Sequence, residues 1–541
     1  MITLQGRGVS PGVACAPLVR LGAPVVTSAA DPVGADPEHE RVRVGEALAA
    51  VAADLSARAE EADGEIADIL TTTAAMALDP SLLAGAGEHV ARGVPTGHAV
   101  TLAIEGFCTQ LDALGGYMAE RVTDLRDVGH RAAAHLAGVP MPGVPAPGHP
   151  VVLAARDLAP ADTAGLGPDV VALVTEQGGP TSHTAILARS RGLPAVVGCA
   201  GIADLAEGTM VLVDGSSGEV RPDPPAECRT AARVLEPEAD TPGATADGHR
   251  VALLANIGTV DDARAAAATP TEGVGLFRTE FLFLDRRTRP DVAEQTRTYA
   301  DVLRAFGDRR VVVRTLDAGS DKPVPFLPLG DEENPALGVR GLRTAGRFPD
   351  VLDDQLAALA AAAAAAGREV DVMAPMVATA EEAERFADRA RAHGLSRVGV
   401  MIEVPAAALR AREVMEVVDF VSIGTNDLGQ YTMAADRTAG ELGDLLDPWQ
   451  PALLDLVALV GDAGRLRGRP VGVCGEAAAD PLLAAVLVGL GVGSLSMAPV
   501  SRAAVHARLA RHTVADCAHL ADLARASRTA AEARRGVEAS T

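Results

Sequence analysis

The sequence predicts an α/β protein of several domains that ends in an eight-fold strand–helix barrel. Three observations carry that reading. At 541 residues the chain is too long for a single hydrophobic core. Its first part is β-rich at about residues 1–20 and again at 148–222, with a helical stretch in between. Beyond about residue 250, apolar strands alternate with helical stretches eight times, the rhythm and length of a (β/α)8 barrel. A doubly wound sheet is the alternative for this last part.

Taken in order, the chain opens with short strands around the turn Ser10-Pro11-Gly12. From Pro37 to about Gly138 the apolar residues recur with a helical period, broken at Asp79-Pro80, at Gly93 to Gly97 and at Gly115-Gly116. That spacing predicts roughly four helices. Residues 139–147 are rich in proline and read as a linker. Strand character returns at Val151–Ala154 and runs through Val211–Asp214. The simplest account is an α/β domain made of residues 1–20 plus 148–222, with a helical domain, 21–147, inserted at an exposed loop. Residues 223–246, rich in Pro, Ala and Glu, form a second linker, and 247–541 form the barrel. Its strands are expected near 251–257, 273–278, 311–316, 370–376, 397–403, 419–424, 470–474 and 493–498.

Composition narrows the class. The net charge of −24 argues against nucleic acid or an anionic membrane as the main partner and allows a basic protein partner. Arginine replaces lysine almost everywhere, and Lys322 is the single lysine, which marks a compositional bias rather than a function. Six scattered cysteines form no CxxC pair, so neither a zinc site nor a disulfide framework is indicated. The N-terminus lacks a basic region followed by a long apolar run, and the alanine-rich run at 356–366 is too short to span a bilayer. A cytoplasmic protein without membrane insertion is the expectation.

The first chemical motif is Gly178-Gly179-Pro180-Thr181-Ser182-His183-Thr184. It joins an apolar strand, Val170 to Val174, to a helix beginning near Ala185. The glycine pair permits a sharp turn, and Thr181 and Ser182 are candidate caps. His183 then stands where backbone N–H groups and the helix dipole favour an anion, so it is placed to accept a phosphoryl group. Alone, the motif reads better as a capped turn with an incidental surface histidine.

What tips the balance lies in the barrel, where polar residues recur at strand ends: Arg278, Arg314, Glu403, Asn426 with Asp427, and Cys474. A barrel gathers such ends on one face, the face that carries chemistry. Glu403 and Asp427 suit a Mg2+ ion, which takes few protein carboxylates and leaves room for substrate oxygens. The arginines suit phosphate and carboxylate, and Cys474 offers a proton donor. Singly, each has a plainer explanation: a surface ion pair, a helix cap, a small buried hydrophobe. Their coincidence implies a small substrate bearing phosphate and carboxylate.

These residues carry a resemblance. The His183 motif, Phe277-Arg278-Thr279-Glu280-Phe281, Met401-Ile402-Glu403-Val404-Pro405, Gly424-Thr425-Asn426-Asp427-Leu428, Gln430-Tyr431-Thr432 and Cys474-Gly475-Glu476 together resemble the enzyme I family of the bacterial sugar phosphotransferase system, over nearly the whole chain. The His motif by itself is shared with pyruvate phosphate dikinase and phosphoenolpyruvate synthase. The resemblance implies a swivelling phosphohistidine domain, an inserted domain that docks the phosphocarrier HPr, and a TIM barrel that binds phosphoenolpyruvate and forms a homodimer. It implies phosphorylation of His183 through Nε2, Mg2+ on Glu403 and Asp427, and substrate contacts from Arg278, Arg314, Arg340, Asn426, Asp427 and Arg437. Cys474 would protonate the enolate carbon as pyruvate forms, and HPr would carry the phosphoryl group into sugar uptake. The chain departs from the family at Pro180, where many members have Arg, and at Ser320, where a second Gly is usual. A dikinase or synthase is the rival enzyme class, but it would need an ATP-binding domain for which no glycine-rich loop is present. A catalytically silent HPr-docking protein is the non-enzymatic rival, and the intact His183, Glu403, Asp427 and Cys474 argue against it.

Overall fold

The computed structural model describes residues 3–10, 12–21, 25–61, 65–114, 122–139, 141, 148–156, 158, 166–178, 183–215, 217–225, 241–283, 286, 288–320, 322–330, 332–437 and 442–541. The chain divides into two compact units, 1–234 and 235–541.

In the first unit an eight-stranded mixed sheet is assembled from both sides of a helical bundle. Strands β1 (Leu4–Gln5), β2 (Arg7–Ser10) and β3 (Val13–Arg20) come before the bundle. Strands β4 (Val151–Ala155), β5 (Val170–Thr175), β6 (Ala195–Val197), β7 (Met210–Asp214) and β8 (Glu219–Pro222) come after it. The spatial order is β1-β8-β7-β3-β4-β5-β6-β2. β3, β4, β5 and β6 run parallel, and antiparallel pairs flank them at both edges. Val151, Val152, Leu153 and Ala154 are all buried, because both faces of this sheet carry apolar layers.

The bundle has five helices among the described residues: α1 (Pro37–Glu61), α2 (Glu65–Ala77), α3 (Pro80–Ala91), α4 (Thr96–Leu114) and α5 (Val122–Leu136). One more than expected is present because the first helical run divides on either side of residues 62–64. The Asp79-Pro80 break is a start signal as well as a stop: Asp79 accepts from the Ser81 N–H and Pro80 occupies the first turn, where its missing N–H costs nothing. The Gly115-Gly116 break lies outside the described residues. Val44, Leu48, Val51 and Leu55 of α1 pack against Leu125, Val128 and Ala132 of α5.

The second unit is a closed parallel barrel. Its strands are β9 (Ala252–Ile257), β10 (Gly273–Arg278), β11 (Arg310–Arg314), β12 (Asp371–Ala374), β13 (Arg397–Ile402), β14 (Phe420–Ile423), β15 (Val471–Val473) and β16 (Ser494–Met497), with β16 pairing back to β9. The doubly wound alternative is thereby excluded. Leu276, Val312, Met373, Met401, Phe420 and Cys474 form an apolar cluster contributed by consecutive strands. The alanine-rich run belongs to the helix Pro349–Ala366, which buries Leu352, Leu356, Leu359 and Ala362 on one side. Among the described residues no helix is long and apolar enough to cross a membrane.

Candidate functional site

The C-terminal ends of the barrel strands bring together most of the polar residues singled out in the sequence, and they do so through a buried ion lattice. Arg314, the last residue of β11, donates from Nη2 to Glu280 Oε1 at 2.9 Å and sends Nη1 to within 3.4 Å of Asp317 Oδ2. Glu280 also accepts the Asp317 N–H at 2.9 Å, which ties the loop after β11 to the end of β10. Arg314 Nε is buried and has no hydrogen-bond partner, a donor left unused by the lattice.

Arg340 joins two carboxylates. Its Nε and Nη2 donate to Asp317 Oδ1 and Oδ2, both at 3.1 Å. Its Nη1 and Nη2 donate to Asp427 Oδ1 at 3.0 Å and Oδ2 at 3.2 Å, and Nη1 also reaches the Tyr431 hydroxyl at 3.3 Å. All three nitrogens are thus committed to protein partners, and the side chain is fully buried. Lys322 Nζ completes the surroundings of Asp317 at 3.0 Å. Burial alone would raise the Asp317 carboxyl, but Arg314, Lys322 and Arg340 reverse this and hold it below the usual carboxylate range. Asp427 behaves likewise: burial raises it, and Arg437, Arg340 and Lys322 bring it down.

Glu403 is the exception. It lies just past β13, 1% exposed, and accepts the Met376 N–H at 2.6 Å. Burial, and then the charges of Asp427 and Asp317, push its pKa up to about 7 against the counter-pull of Arg314. Gly424 makes room for it, since a Cβ there would stand 2.9 Å from Glu403 Oε2.

The remaining candidates ring this lattice. Asp427 and Asn426 occupy the first turn of the helix Thr425–Met433, and the Asn426 side-chain oxygen accepts the Glu476 N–H at 3.1 Å. Arg437 places Nη1 3.4 Å from Asp427 Oδ2, and its N–H is held by Gln430 Oε1 at 3.0 Å. Arg278 is exposed at the end of β10. Cys474 follows β15, is 3% exposed and donates to the Ile423 carbonyl at 3.6 Å. Burial raises its pKa to about 11, so it is a thiol at neutral pH. Next to it Gly475 must be glycine: a Cβ there would lie 1.9 Å from Thr425 Oγ1.

His183 belongs to the other unit. It is the first residue of α6 (His183–Arg191), which follows β5 as expected. Gly178 adopts the left-handed conformation, φ 98°, that the glycine turn calls for. Residues 179–182, which include the expected caps, lie outside the described residues, as do the Cys228 and Asp321 positions.

Sequence reasoning missed the lattice itself. Glu280 and Tyr431 belong to motifs that carry the resemblance but had no role of their own there, and Asp317 and Met376 had none. Lys322 was set aside in the sequence as compositional bias, yet its rarity was a usable signal: the single lysine sits against the heavily paired Asp317.

Comparison with known proteins gives the same picture along the chain. Residues 5–121 match the N-terminal domain of PEP-utilising enzymes, 147–218 their mobile domain and 233–514 their PEP-binding domain. A phosphoenolpyruvate-protein phosphotransferase of Streptomyces coelicolor is 53% identical over 99% of this chain and 99% of its own. Proteins of the same name from Haloferax volcanii and Bacillus subtilis are 43% and 37% identical over 84% and 93% of this chain, and 83% and 93% of theirs.

Proposed function

The chain belongs to the phosphoenolpyruvate-protein phosphotransferase family, and from that premise we propose which residues do the work. It is a transferase that takes the phosphoryl group of phosphoenolpyruvate in the phosphotransferase system. His183 is the acceptor, HPr the phosphocarrier to which it passes the group, and the barrel mouth the substrate site. The observation that carries this assignment is the buried Arg314 with its unpartnered Nε, set among strand ends that supply cations on one side and carboxylates on the other.

The carboxylates fit a divalent cation. Glu403 is buried and raised by burial and by the neighbouring Asp427 and Asp317, a repulsion that a cation between them would relieve. A pair of carboxylates suits Mg2+, an ion that takes one or two and completes its shell with substrate oxygens and water. Glu403 and Asp427 would hold it. When bound, Mg2+ neutralises charge on the transferring phosphoryl group.

The protein's own groups do the rest. Arg314, Arg278 and Arg437 clamp the phosphate and carboxylate of the substrate, and Asn426 orients it. Arg340 works from behind, since its donors are spent on Asp317 and Asp427: it fixes the carboxylates rather than gripping substrate. His183 Nε2 attacks phosphorus as the bond to the enol oxygen breaks. The Cys474 S–H then gives its proton to the methylene carbon, which makes pyruvate and leaves a thiolate to be reprotonated from solvent. Acceptor and donor sites lie on separate units, so the units must meet for the first transfer and part for the second; most of the linker read at 223–246 lies outside the described residues. The bundle docks HPr, the barrel makes a homodimer, and the setting is cytoplasmic.

Incubation with Mg2+ and labelled phosphoenolpyruvate tests the assignment. Acid-labile, base-stable label is expected on the wild type and none on a folded His183→Ala variant. Label on that variant would remove His183 as the acceptor.

A further inference from the structure

Met376 stands in a conformation that its side chain does not favour. Its φ is 59°, the left-handed region, where the Cβ of an ordinary residue crowds the following carbonyl oxygen. Pro375, Met376 and Val377 follow directly on β12, and Met376 is 1% exposed, so no solvent-facing turn accounts for this. Strain of this kind persists only where the surroundings over-determine it.

Three contacts do so. The Met376 N–H donates to Glu403 Oε1 at 2.6 Å. Its Cβ and Cγ press on Gly341, itself left-handed at φ 58°, so closely that a Cβ on Gly341 would stand 2.9 Å from both. Its sulfur lies 4.0 Å from the Tyr431 hydroxyl, which in turn takes a hydrogen bond from Arg340. The neighbouring Pro375 carbonyl accepts the Leu342 N–H at 3.4 Å. Met376 therefore touches the loop that carries Arg340, the helix that carries Asp427, and Glu403 itself.

We propose that Met376 is a positioning residue for the divalent-cation site: its side chain, wedged between Gly341 and Tyr431, holds the left-handed turn that aims a backbone N–H at Glu403 and so fixes that carboxylate relative to Asp427. It touches neither substrate nor cation and acts through Glu403. The inference rests on Glu403 and Asp427 being the cation's ligands. Hydrogen bonds behind ligands are commonly worth about 10–100-fold in metal affinity, which sets the size of the effect.

The test is Mn2+ binding to the full-length protein without substrate, followed by electron paramagnetic resonance, beside thermal unfolding. Met376→Ala keeps the N–H and the backbone cost but loses the wedge, and its Mn2+ affinity should fall by about 10-fold or more. Met376→Gly also loses the wedge yet adopts the left-handed turn freely, so part of the affinity should return. Met376→Leu, similar in bulk, should stay closest to wild type. A role in packing alone predicts lower thermal midpoints with unchanged Mn2+ affinity. Wild-type affinity in whichever of the Ala and Gly variants folds would overturn the proposal. Glu403→Gln separates the premise from the inference: if it binds Mn2+ like wild type, the ligand assignment fails, whereas if it loses Mn2+ and Met376→Ala does not, Met376 alone is wrongly assigned.

Discussion

β11 begins with Arg310 and ends with Arg314, two arginines on the same face of one strand at opposite ends of the barrel. At the lower end Arg310 donates from Nε to Asp371 Oδ2 at 2.7 Å, and Arg397 shares the same carboxylate at 3.0 Å. The Arg310 guanidinium lies 4.9 Å from the centre of the Phe420 ring and faces an open basin of about 350 Å³. At the upper end Arg314 is embedded in the lattice of Glu280, Asp317, Arg340 and Asp427, where no side chain is more than 10% exposed. Residue type and strand are the same, and what differs is solvent. A charge that water reaches can lose its partner cheaply, whereas a buried one cannot, because its abandoned partners stay in low dielectric. The end that holds the second kind is the end where barrel loops converge.

Arg314→Ala exposes this difference most sharply. It strands Glu280 as a buried carboxylate without its cation, while Asp317 keeps Arg340 and Lys322, and losing one partner of a buried pair costs roughly 3–5 kcal/mol. It also deletes the donor proposed to meet the phosphoryl group, and such arginines contribute about 10³–10⁵ in rate. Pyruvate release in single-turnover mixing with phosphoenolpyruvate, measured below the variant's lowered unfolding midpoint, should therefore nearly vanish. A variant that unfolds earlier but turns over normally would make Arg314 a structural ion-pair partner like its counterpart below.

The comparison also explains what could be read in advance. Both arginines look alike in sequence, since the run 310–314 has one at each end of three valines. Only strand direction tells them apart, and it can be read because the alternation of apolar runs and helices beyond residue 250 is a local, periodic signal, although only Arg314 was singled out from it. The pairing at the upper end was not legible, although Asp427 and Arg340 were named. The links Arg314–Glu280, Arg340–Asp317 and Arg340–Asp427 span 34, 23 and 87 residues, and no period connects them. Met376 was still less visible, because a left-handed methionine follows from its neighbours' packing and from nothing in Pro375-Met376-Val377. The histidine unit shows the reverse balance. There the proposed acceptor, His183 at a helix start, is spelled by a contiguous motif, while the insertion of a bundle into a sheet had to be inferred from composition shifts on either side.

A smaller effect separates the carboxylates within the upper lattice. In metal-free protein the Glu403 pKa is raised to about 7 by burial and by Asp427 and Asp317, above the ordinary value of 4.5 that the unfolded chain retains. The folded state therefore binds more protons than the unfolded one between those values, so stability falls as pH rises through that window. Asp317 and Asp427 are lowered instead, and their contribution disappears only on acidification below the ordinary aspartate value of 3.8. Thermal midpoints taken in chelator from pH 4.5 to 8 should decline for wild type and flatten for Glu403→Gln. Saturating Mg2+ should flatten the wild-type profile too. An equal decline in the Gln variant would place the titrating group elsewhere.

The least change is expected at the other end of the strand, and it is the one that could undo the comparison. Arg310 has a side chain 30% exposed, and its partner Asp371 keeps Arg397 when Arg310 is removed. The abandoned carboxylate is thus still paired, and water already enters the basin beside it. Arg310→Ala should cost what a partly exposed arginine contributes by pairing with a buried carboxylate that keeps a second partner and by contacting the Phe420 ring, together about 1 kcal/mol. Nothing in its surroundings connects it to the mouth by a shared charge, so substrate affinity and the single-turnover rate should match wild type. Calorimetry with phosphoenolpyruvate and a denaturation curve on the same preparation measure both. If Arg310→Ala instead weakens substrate binding or slows transfer, then the lower basin communicates with the upper lattice through the barrel interior, and solvent exposure would no longer be what divides one arginine from the other.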